Sequence, residues 1–431
     1  MKGKVRLQLA DRNQLLLVPT DLDRLVPPDH EVRSVWRFVG QLDLSPLHEA
    51  IRAREGHPGR PPIDPAILFC LWLYATLEGI GSARELERLA DYHHAYRWIC
   101  GGVSINHHTL SDFRVEEEAF LDDLLTRSVV ALMEAGVASL EEVAQDGLRT
   151  RAAAGSSSFR RKATLDTKLA EARSRVERLK GEVTSDPAAS SRRRQAAAAR
   201  AAREMEERAR AALDHLEKIE RRREEQAKKD KKRAEKQKEA RSSLSDPEAR
   251  IIKMSDGGYR PAYNLQLVTD TASGAVVALE VTNESSDKHR VRPMVEQIQR
   301  RFGKAPGRWL ADSGYNGTHD VEYLASVGQT GIEAFMPLPA GRGGGIAKSP
   351  RPYVGPAILA WRERMQSERG KGIYKRRYLI EWVNAGMRNR GLTHLTVRGK
   401  LKVGAVLLWQ ALAHNFLCLL RSGTSFSSLP T

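Results

Sequence analysis

The stretch Tyr374–Arg388, YKRRYLIEWVNAGMR, is the part of this chain that says most about its fold. At about 100° per residue, the helical repeat, four polar side chains fall within a narrow arc of one helix face: Tyr374, Arg377, Glu381 and Arg388. A helix normally devotes such a stripe to apolar core residues. The pattern therefore indicates a partly buried helix that directs one acid and several cations at a common target, as a site for metal and phosphate would need. The alternative is a solvated face with ion pairs at helical spacing.

Two further acids occur where strands are predicted to end. Leu140–Gly147, LEEVAQDG, indicates a short strand that ends at Asp146, and Gly307–Tyr315, GRWLADSGY, indicates another that ends at Asp312. Sheets of α/β proteins bind ligands at the carboxyl ends of their strands, although a strand-terminal Asp is also a common turn former or helix cap. Together with Glu381 these residues make three acids, two on strands and one on a helix.

These motifs resemble the catalytic motifs of bacterial insertion-sequence transposases of the DDE class, and the resemblance rests on Asp146-Gly147, Asp312-Ser313-Gly314-Tyr315 and Tyr374-x2-Arg377-x3-Glu381. In that family a lysine usually stands seven residues after the glutamate, and this chain has Arg388 there. Arginine keeps the positive charge of lysine but replaces the compact ammonium group with a planar guanidinium group. The resemblance implies an α/β fold with a ribonuclease H-like catalytic core, and a catalytic role for Asp146, Asp312 and Glu381.

Three converging acids suit phosphodiester chemistry with divalent ions. Two such ions about 3.5–4 Å apart stabilise both ends of an in-line displacement, and hard cations prefer carboxylate oxygen. We therefore expect two Mg²⁺ (or Mn²⁺) ions per site, with Asp146 bridging them, Asp312 on one and Glu381 on the other. Water and then a DNA 3′-hydroxyl would be the nucleophiles. Arg377 and Arg388 are expected to hold DNA phosphates, while Tyr374 contacts DNA, orients Glu381 or simply packs.

Composition indicates an intracellular protein with a polyanionic partner. The 431 residues carry a formal net charge of +16, which favours nucleic acid binding. Three scattered cysteines do not form a disulfide framework, and no secretory leader is evident at the N-terminus. The apolar runs Ile67–Tyr74 and Val406–Leu420 are short for a membrane span, so we expect buried helices and no membrane association. We predict a cytoplasmic, nucleoid-associated protein. The sequence has no nucleotide-binding P-loop pattern and no Cys-x2-Cys pair, so we expect neither ATPase nor zinc-finger chemistry.

The chain divides by pattern into residues 1–138, a helical and DNA-binding domain; 139–159, the first part of the catalytic core; 160–245, an insertion; and 246–424, the rest of the core. Helices Ala66–Leu77 and Ala83–Ala90 are predicted from their caps, Asp64-Pro65 and Ser82. Short helices joined by tight turns suit a helix-turn-helix reader of DNA, or a bundle that only packs on the core. In the core, Thr271–Gly274 signals a hairpin, and Asp287 is predicted to cap a helix over His289–Phe302.

The insertion carries a heptad pattern of apolar residues that runs from Leu165 to Val183 and again from Met205 to Ile219. Ser185-Asp186-Pro187 interrupts the pattern, which predicts an antiparallel helical hairpin, a coiled coil. Residues 160–245 contain 27 Lys and Arg against 16 Asp and Glu, an excess of +11 within the chain's +16. Three roles stay open for this basic arm: a clamp on DNA phosphates, a dimer contact, or a solvated coiled coil with a basic tail.

Taken together, these features predict a DDE transposase. It would bind double-stranded DNA at the terminal inverted repeats of a transposon, cleave the ends and transfer the 3′-hydroxyl to target DNA, as a homodimer or a larger assembly. One alternative is a metal-dependent nuclease of the same fold that does not join strands. The other is an inactive, transposase-derived DNA-binding protein, which the three intact acids disfavour.

Overall fold

The computed structural model describes residues 21–51, 61–185, 189–229, 239–339 and 355–424. Its N-terminal part is helical, with α1 (Glu31–Val39), α2 (Ser45–Ala50), α3 (Pro65–Leu77), α4 (Ala83–Tyr92), α5 (His94–Cys100), α6 (His107–Glu116) and α7 (Glu118–Glu134). The predicted caps are confirmed: the Asp64 carboxylate accepts from the Ala66 N–H at 2.8 Å, and the Ser82 hydroxyl accepts from the Glu85 N–H at 3.3 Å. Local sequence therefore fixes where these two helices begin.

A mixed sheet follows the helical part. Its strands are β1 (Glu142–Arg151), β4 (Arg250–Lys253), β5 (Tyr259–Asp270), β6 (Val276–Thr282), β7 (Arg308–Ala311) and β8 (Glu333–Phe335). The order is β4-β5-β1-β7-β8, and β6 also pairs with β5. Antiparallel pairing joins β1 to β5 and β5 to β6, whereas β1, β7 and β8 are parallel. The predicted β5–β6 hairpin is confirmed, and its turn lies at the predicted Thr271–Gly274.

The remaining helices cover the sheet: α10 (Val291–Phe302), α11 (Thr318–Ser326), α12 (Pro356–Gln366), α13 (Glu368–Lys375), α14 (Tyr378–Asn389) and α15 (Lys400–Ser422). One predicted cap is wrong: α10 begins after Arg290, and Asp287 makes no capping bond to it. The Asp287 carboxylate instead accepts hydrogen bonds from side chains of β5, at 2.7 Å from Asn264 and 2.9 Å from Gln266. These amide donors compete successfully with the helix terminus for the same oxygen.

The long helix α15 joins the N-terminal helices to the sheet. Its Asn415 side chain is fully buried, exchanges hydrogen bonds with the backbone N–H and C=O of Val276 on β6, and donates to Ser128 Oγ on α7. Phe416 and Trp409 pack against the aromatic rings of Phe38 and Phe69. By length and composition α15 could cross a membrane, but 78% of its apolar window is buried inside the protein. It is therefore a core helix, as predicted for Val406–Leu420.

The insertion forms two helices, α8 (Lys162–Ser185) and α9 (Ala189–Lys229), above a short neck in which β2 (Phe159–Arg160) pairs with β3 (Ser242–Ser243). Leu165 packs with Leu216 and Ile219 near the neck, and Val176 and Leu179 pack with Ala202 farther out. This pairing confirms the antiparallel hairpin. The seam residues Leu165, Val176, Leu179, Leu216 and Ile219 are buried between the two helices of one chain, so this part of the seam needs no second copy to cover it, whereas Met205 is 36% exposed.

The buried imidazole of His414 on α15 makes stability depend on pH. Its Nε2–H donates to the Gly274 carbonyl at 3.0 Å, while Arg390 Nη2 lies 3.4 Å from Nδ1. Burial, followed by the charge of Arg390, lowers the pKa of His414 from 6.5 to about 4. The folded state thus favours the neutral ring. The resulting contribution to stability is complete above the unfolded pKa of about 6.5 and is lost as the pH falls toward 4.

We predict that the wild-type protein loses about 2 kcal/mol of stability through this residue between pH 7 and pH 5. His414→Gln keeps an N–H for the Gly274 carbonyl but cannot take up a proton. Its melting temperature should therefore fall less over that interval, measured by thermal denaturation at each pH. His394→Gln, at an exposed position, is the control and should follow the wild type. Equal pH slopes for all three proteins would contradict the assignment.

Candidate active site

The parallel pairing of β1 with β7 brings two of the predicted acids together. The pairing ends at the register pair Gln145↔Ala311, and the next residue on each strand is Asp146 or Asp312. Asp146 does not end its strand, contrary to the sequence prediction, because β1 continues to Arg151 along its other neighbour, β5. It lies instead where β1 loses β7 as a partner. Both carboxylates thus stand at the carboxyl edge of the parallel part of the sheet, where ligands bind in α/β proteins.

A third carboxylate, Asp287, lies between these two. A Cβ atom built on Gly147 would lie 2.8 Å from Asp287 Oδ1, and one built on Gly314 would lie 3.2 Å from Asp287 Oδ2 and 2.9 Å from Asp312 Oδ1. Any side chain at either position would therefore displace the acids. The glycines of the Asp146-Gly147 and Asp312-Ser313-Gly314 motifs are required because the carboxylates approach the backbone this closely.

Buried amides hold Asp287 in place from below. Gln266 Oε1 accepts from the Tyr315 hydroxyl at 2.5 Å and from Gln145 Nε2 at 3.1 Å, so its amide nitrogen is left to donate to Asp287. Gln145 Oε1 in turn accepts from Trp309 Nε1 at 3.2 Å. Burial raises the pKa of Tyr315 well above 10, which keeps the phenol protonated as a donor. Each side chain in this hydrogen-bond network thus has a defined orientation. Tyr315, which belongs to the Asp312 motif, takes part in the network from within the core.

Burial and neighbouring charges both act on the carboxyl group of Asp146. The pKa of Asp146 is raised to about 6, chiefly by burial. The hydrogen bond from the Gly147 N–H lowers this pKa, the charges of Asp312 and Asp287 raise it, and the charge of Arg377 lowers it. Like charges brought together in a half-buried site are the arrangement that a divalent cation neutralises.

Glu381 lies at the rim of this cluster, on the first turn of α14. Its side chain is 53% exposed and pairs with the guanidinium of Arg377. Asn384, which lies three residues after Glu381 on the same helix, donates a hydrogen bond from Nδ2 to Asp146 Oδ2 at 2.8 Å. The structure therefore brings Asp146 and Asp312 together directly, and connects Glu381 to them through Arg377, whose charge acts on both Glu381 and Asp146.

The stretch that carries Tyr374 and Glu381 is not one continuous helix, contrary to the sequence prediction. Tyr374 lies on α13 and Glu381 on α14, and the backbone between them tightens to i→i+3 hydrogen bonds at Arg376 and Arg377. Arg376 anchors this joint, because its guanidinium pairs with the buried Glu142 of β1. Across this joint the Arg377 guanidinium still lies 5.8 Å from the centre of the Tyr374 ring.

Arg388, on the last turn of α14, has a different environment. It is exposed, and its side chain makes no hydrogen bond or ion pair among the described residues. The alternative in which Arg388 only neutralises an acid of the same protein therefore has no partner within the described part of the chain. Arg377, by contrast, is already paired with Glu381.

A second group of possible metal ligands lies beside the acids. Side-chain atoms of His289, His319 and Asp320 lie within 4.8 Å of one another. Asp320 is buried and its Oδ2 accepts from the backbone N–H of His289 at 3.2 Å. The cluster ties the loop that carries Asp287 to the helix that follows Asp312.

Sequence reasoning missed Asp287 and Asn384 as members of the site. Asp287 follows strand β6 in the segment Asn283-Glu284-Ser285-Ser286-Asp287, which offered the same signal of a strand followed by an acid that identified Asp146 and Asp312. It was assigned to a helix cap because a helix begins shortly afterwards. Asn384 lies close to the arc of Glu381, but nothing in a single sequence shows that its amide reaches Asp146.

Comparison with protein families accounts for both halves of the chain. Residues 20–116 match a transposase domain (DUF772), and residues 228–416 match a transposase DDE domain. The second match includes Asp287, Asp312 and Glu381, whereas Asp146 lies between the two matched ranges and joins the site by its geometry. No curated protein and no solved structure matches the chain. The two matches, in this order and covering about two thirds of the chain, assign this protein to the DDE-class transposases of bacterial insertion sequences.

Proposed function

We propose that this protein binds the terminal inverted repeats of its transposon, cleaves the phosphodiester at each end and transfers the 3′-hydroxyl to target DNA. The observation that carries the proposal is the register Gln145↔Ala311, which sets Asp146 and Asp312 side by side with Asp287 between them. The family makes DNA the substrate and cleavage with transfer the reaction class. The α/β sheet flanked by helices is consistent with the ribonuclease H-like core that this family implies.

The residues present fit a pair of divalent cations. The donors are carboxylate oxygens, which Mg²⁺ and Mn²⁺ prefer, and Asp312 and Asp287 lie near enough to Asp146 for their charges to raise its pKa, in addition to the larger effect of burial. Asp146, Asp312 and Glu381 would hold the ions, with Asp287 adding a fourth carboxylate. When bound, the ions supply charge stabilisation for the attacking and leaving oxygens of the phosphodiester.

The chain's own side chains then have separate tasks. Asn384 holds Asp146 by one oxygen and leaves its position fixed relative to α14. Arg377 pairs with Glu381 and stacks near Tyr374, so it sets the orientation of the acid at the rim. Arg388, exposed and without a partner among the described residues, is the cation of this helix left to bind a DNA phosphate. Tyr374 is half-buried and packs beneath Arg377.

The proposed function also implies the partners of this protein and its location in the cell. We place the active protein on double-stranded DNA as a homodimer or larger assembly, because two transposon ends must be joined, and the N-terminal helices would take part in reading those ends. Transposases are generally soluble cytoplasmic proteins, and we place this one at the nucleoid. A nuclease that cuts without joining strands is the main alternative, and a strand-transfer assay separates the two.

The three acids give the first prediction. Asp146→Asn, Asp312→Asn and Glu381→Gln each remove a carboxylate ligand and leave the positive surface intact. Each should abolish cleavage of a duplex taken from the DNA flanking the gene, in Mg²⁺, while DNA affinity stays within a few-fold of wild type. Glu368→Gln, at an acid that is 90% exposed on the neighbouring α13, is the matched control and should cleave normally. Full cleavage by any of the three variants would refute its assignment.

Metal binding gives a prediction that does not depend on activity. Mg²⁺ or Mn²⁺ should raise the melting temperature of the wild type, because an ion that binds only the folded state stabilises it. Asp146→Asn and Asp312→Asn should lose most of this increase. Asp287→Asn should reduce it if the fourth carboxylate contributes to binding. Glu368→Gln should respond like the wild type, and an Asp146→Asn protein that responds equally would exclude a metal site at this residue.

Arg388 gives the third prediction. Arg388→Ala should remove a charge-assisted hydrogen bond to DNA worth about 1.5–3 kcal/mol, and Arg388→Lys, which restores the residue usual in the family, should retain most of the affinity. Neither change should lower the melting temperature, since the side chain is exposed. Fluorescence anisotropy with the flanking duplex and thermal denaturation measure the two quantities. Normal affinity and strand joining in Arg388→Ala would rule out a phosphate contact.

A further inference from the structure

A large basic cleft lies where the inserted arm meets the catalytic sheet. Its volume is about 1260 Å³. One wall comes from α9 and the neck of the arm, and the other comes from β4, the start of β5 and residues 283–286. Five arginines line it against two glutamates: Arg161, Arg222, Arg223, Arg241 and Arg250 against Glu239 and Glu284. The cleft therefore carries an excess of positive charge.

Both glutamates of the cleft are already paired with arginines. Arg161 pairs with Glu239 at 2.8 Å and Arg222 with Glu284 at 3.1 Å, so both glutamates are already engaged. Arg250 is half-buried, and its Nε atom has no hydrogen-bond partner among the described residues. Burial, followed by the charge of Arg222, lowers the pKa of Arg250 to about 10. A buried guanidinium donor without an acceptor calls for an anionic ligand.

Apolar surface is exposed in the same cleft. Tyr259 on β5 is 67% exposed and Ile251 on β4 is 43% exposed, and the two lie two register positions apart on these paired strands, Tyr259 opposite Lys253 and Ile251 opposite Pro261. An exposed aromatic ring among arginines is the arrangement on which bases of a single nucleic acid strand stack while cations follow the phosphates. A closed duplex offers no free base face to Tyr259.

The cleft leads directly to the catalytic acids. Its wall at Ser285 and Ser286 is followed at once by Asp287 of the acid cluster. Arg149, three residues beyond Asp146 on β1, donates to the Ser285 carbonyl at 3.4 Å and lies 3.7 Å from Asp287 Oδ2. A strand whose scissile phosphate lay at the acids would therefore find the cleft next along its path.

We propose that this cleft binds a single DNA strand adjacent to the scissile phosphate, with a base stacked on Tyr259 and phosphates held by Arg241 and Arg250. The proposal rests on the transposase function argued above and assigns the basic arm a role in it. The arm acts as the second wall of a strand-binding channel and not as a dimer contact, since its apolar residues at Leu165, Val176, Leu179, Leu216 and Ile219 are already buried within the hairpin.

The test measures binding of a fluorescent single-stranded oligonucleotide, and of the duplex of the same sequence, in EDTA so that no cleavage occurs. Tyr259→Ala should weaken single-strand binding by about tenfold, as expected for loss of one stacked base. Tyr259→Phe should retain it, because stacking does not need the hydroxyl. Arg241→Gln should reduce the slope of log affinity against log salt by about 0.7, the loss of one phosphate contact.

Arg173→Gln is the matched control, because it removes an equal charge from α8, where Arg173 faces Glu206 and does not line the cleft. It should leave the slope unchanged. The proposal is overturned if the cleft variants bind single strands like the wild type, if Arg173→Gln is as harmful as Arg241→Gln, or if only duplex binding suffers. It is also overturned if Tyr259→Ala changes only self-association in sedimentation. Because cleavage is scored separately with the acid variants, failure of the cleft leaves the transposase assignment standing.

Discussion

The active site depends on one structural constraint, the parallel register between β1 and β7. Because Gln145 pairs with Ala311, the acids that follow them must lie side by side. A shift by one residue would turn one of the two carboxylates to the opposite face of the sheet. The register is in turn secured from within the core, where Trp309 on β7 donates to Gln145 on β1. The fold thus concentrates negative charge at one edge of the sheet.

The surrounding residues orient the acids, donate hydrogen bonds to them and leave space for them. Asp287 accepts hydrogen bonds from Asn264 and Gln266, and Tyr315 holds Gln266 in the orientation this needs. On the other side of the site, Asn384 and Arg377 connect α14 to Asp146. Glycines at 147 and 314 leave the space that the carboxylates occupy. The site therefore combines a rigid half, built on the sheet, with a rim on α14 where Glu381 stays exposed. Glu381 is paired there with Arg377, a neighbour on the same helix, and in the proposed function it would complete the set of metal ligands.

Short-range features of this structure were predictable from the sequence, and long-range contacts were not. Caps at Asp64 and Ser82, the β5–β6 hairpin and the antiparallel arm all follow from local preferences and periodicity, and each was predicted correctly. The end of β1 was misplaced because strand length depends on the partner β5, which lies more than a hundred residues away in sequence. The break before α14 was missed because it depends on Arg376 reaching Glu142. Asp287 was misassigned because local capping chemistry competes with tertiary amide donors.

The inserted arm combines short-range features of the sequence with a long-range contact to the core. Its helices are held to each other by an ordinary heptad seam, but its base is held against the core by charge, with Arg222 reaching Glu284 across the cleft. Glu284 also pairs with Arg290, just before α10. In the sequence, only Ser285 and Ser286 separate Glu284 from Asp287 of the acid cluster. A polyanion that entered the cleft would compete with Glu284 for Arg222, and would do so beside the loop that positions Asp287. In the proposed function, occupation of the cleft would therefore act on the geometry of the acids through this short segment.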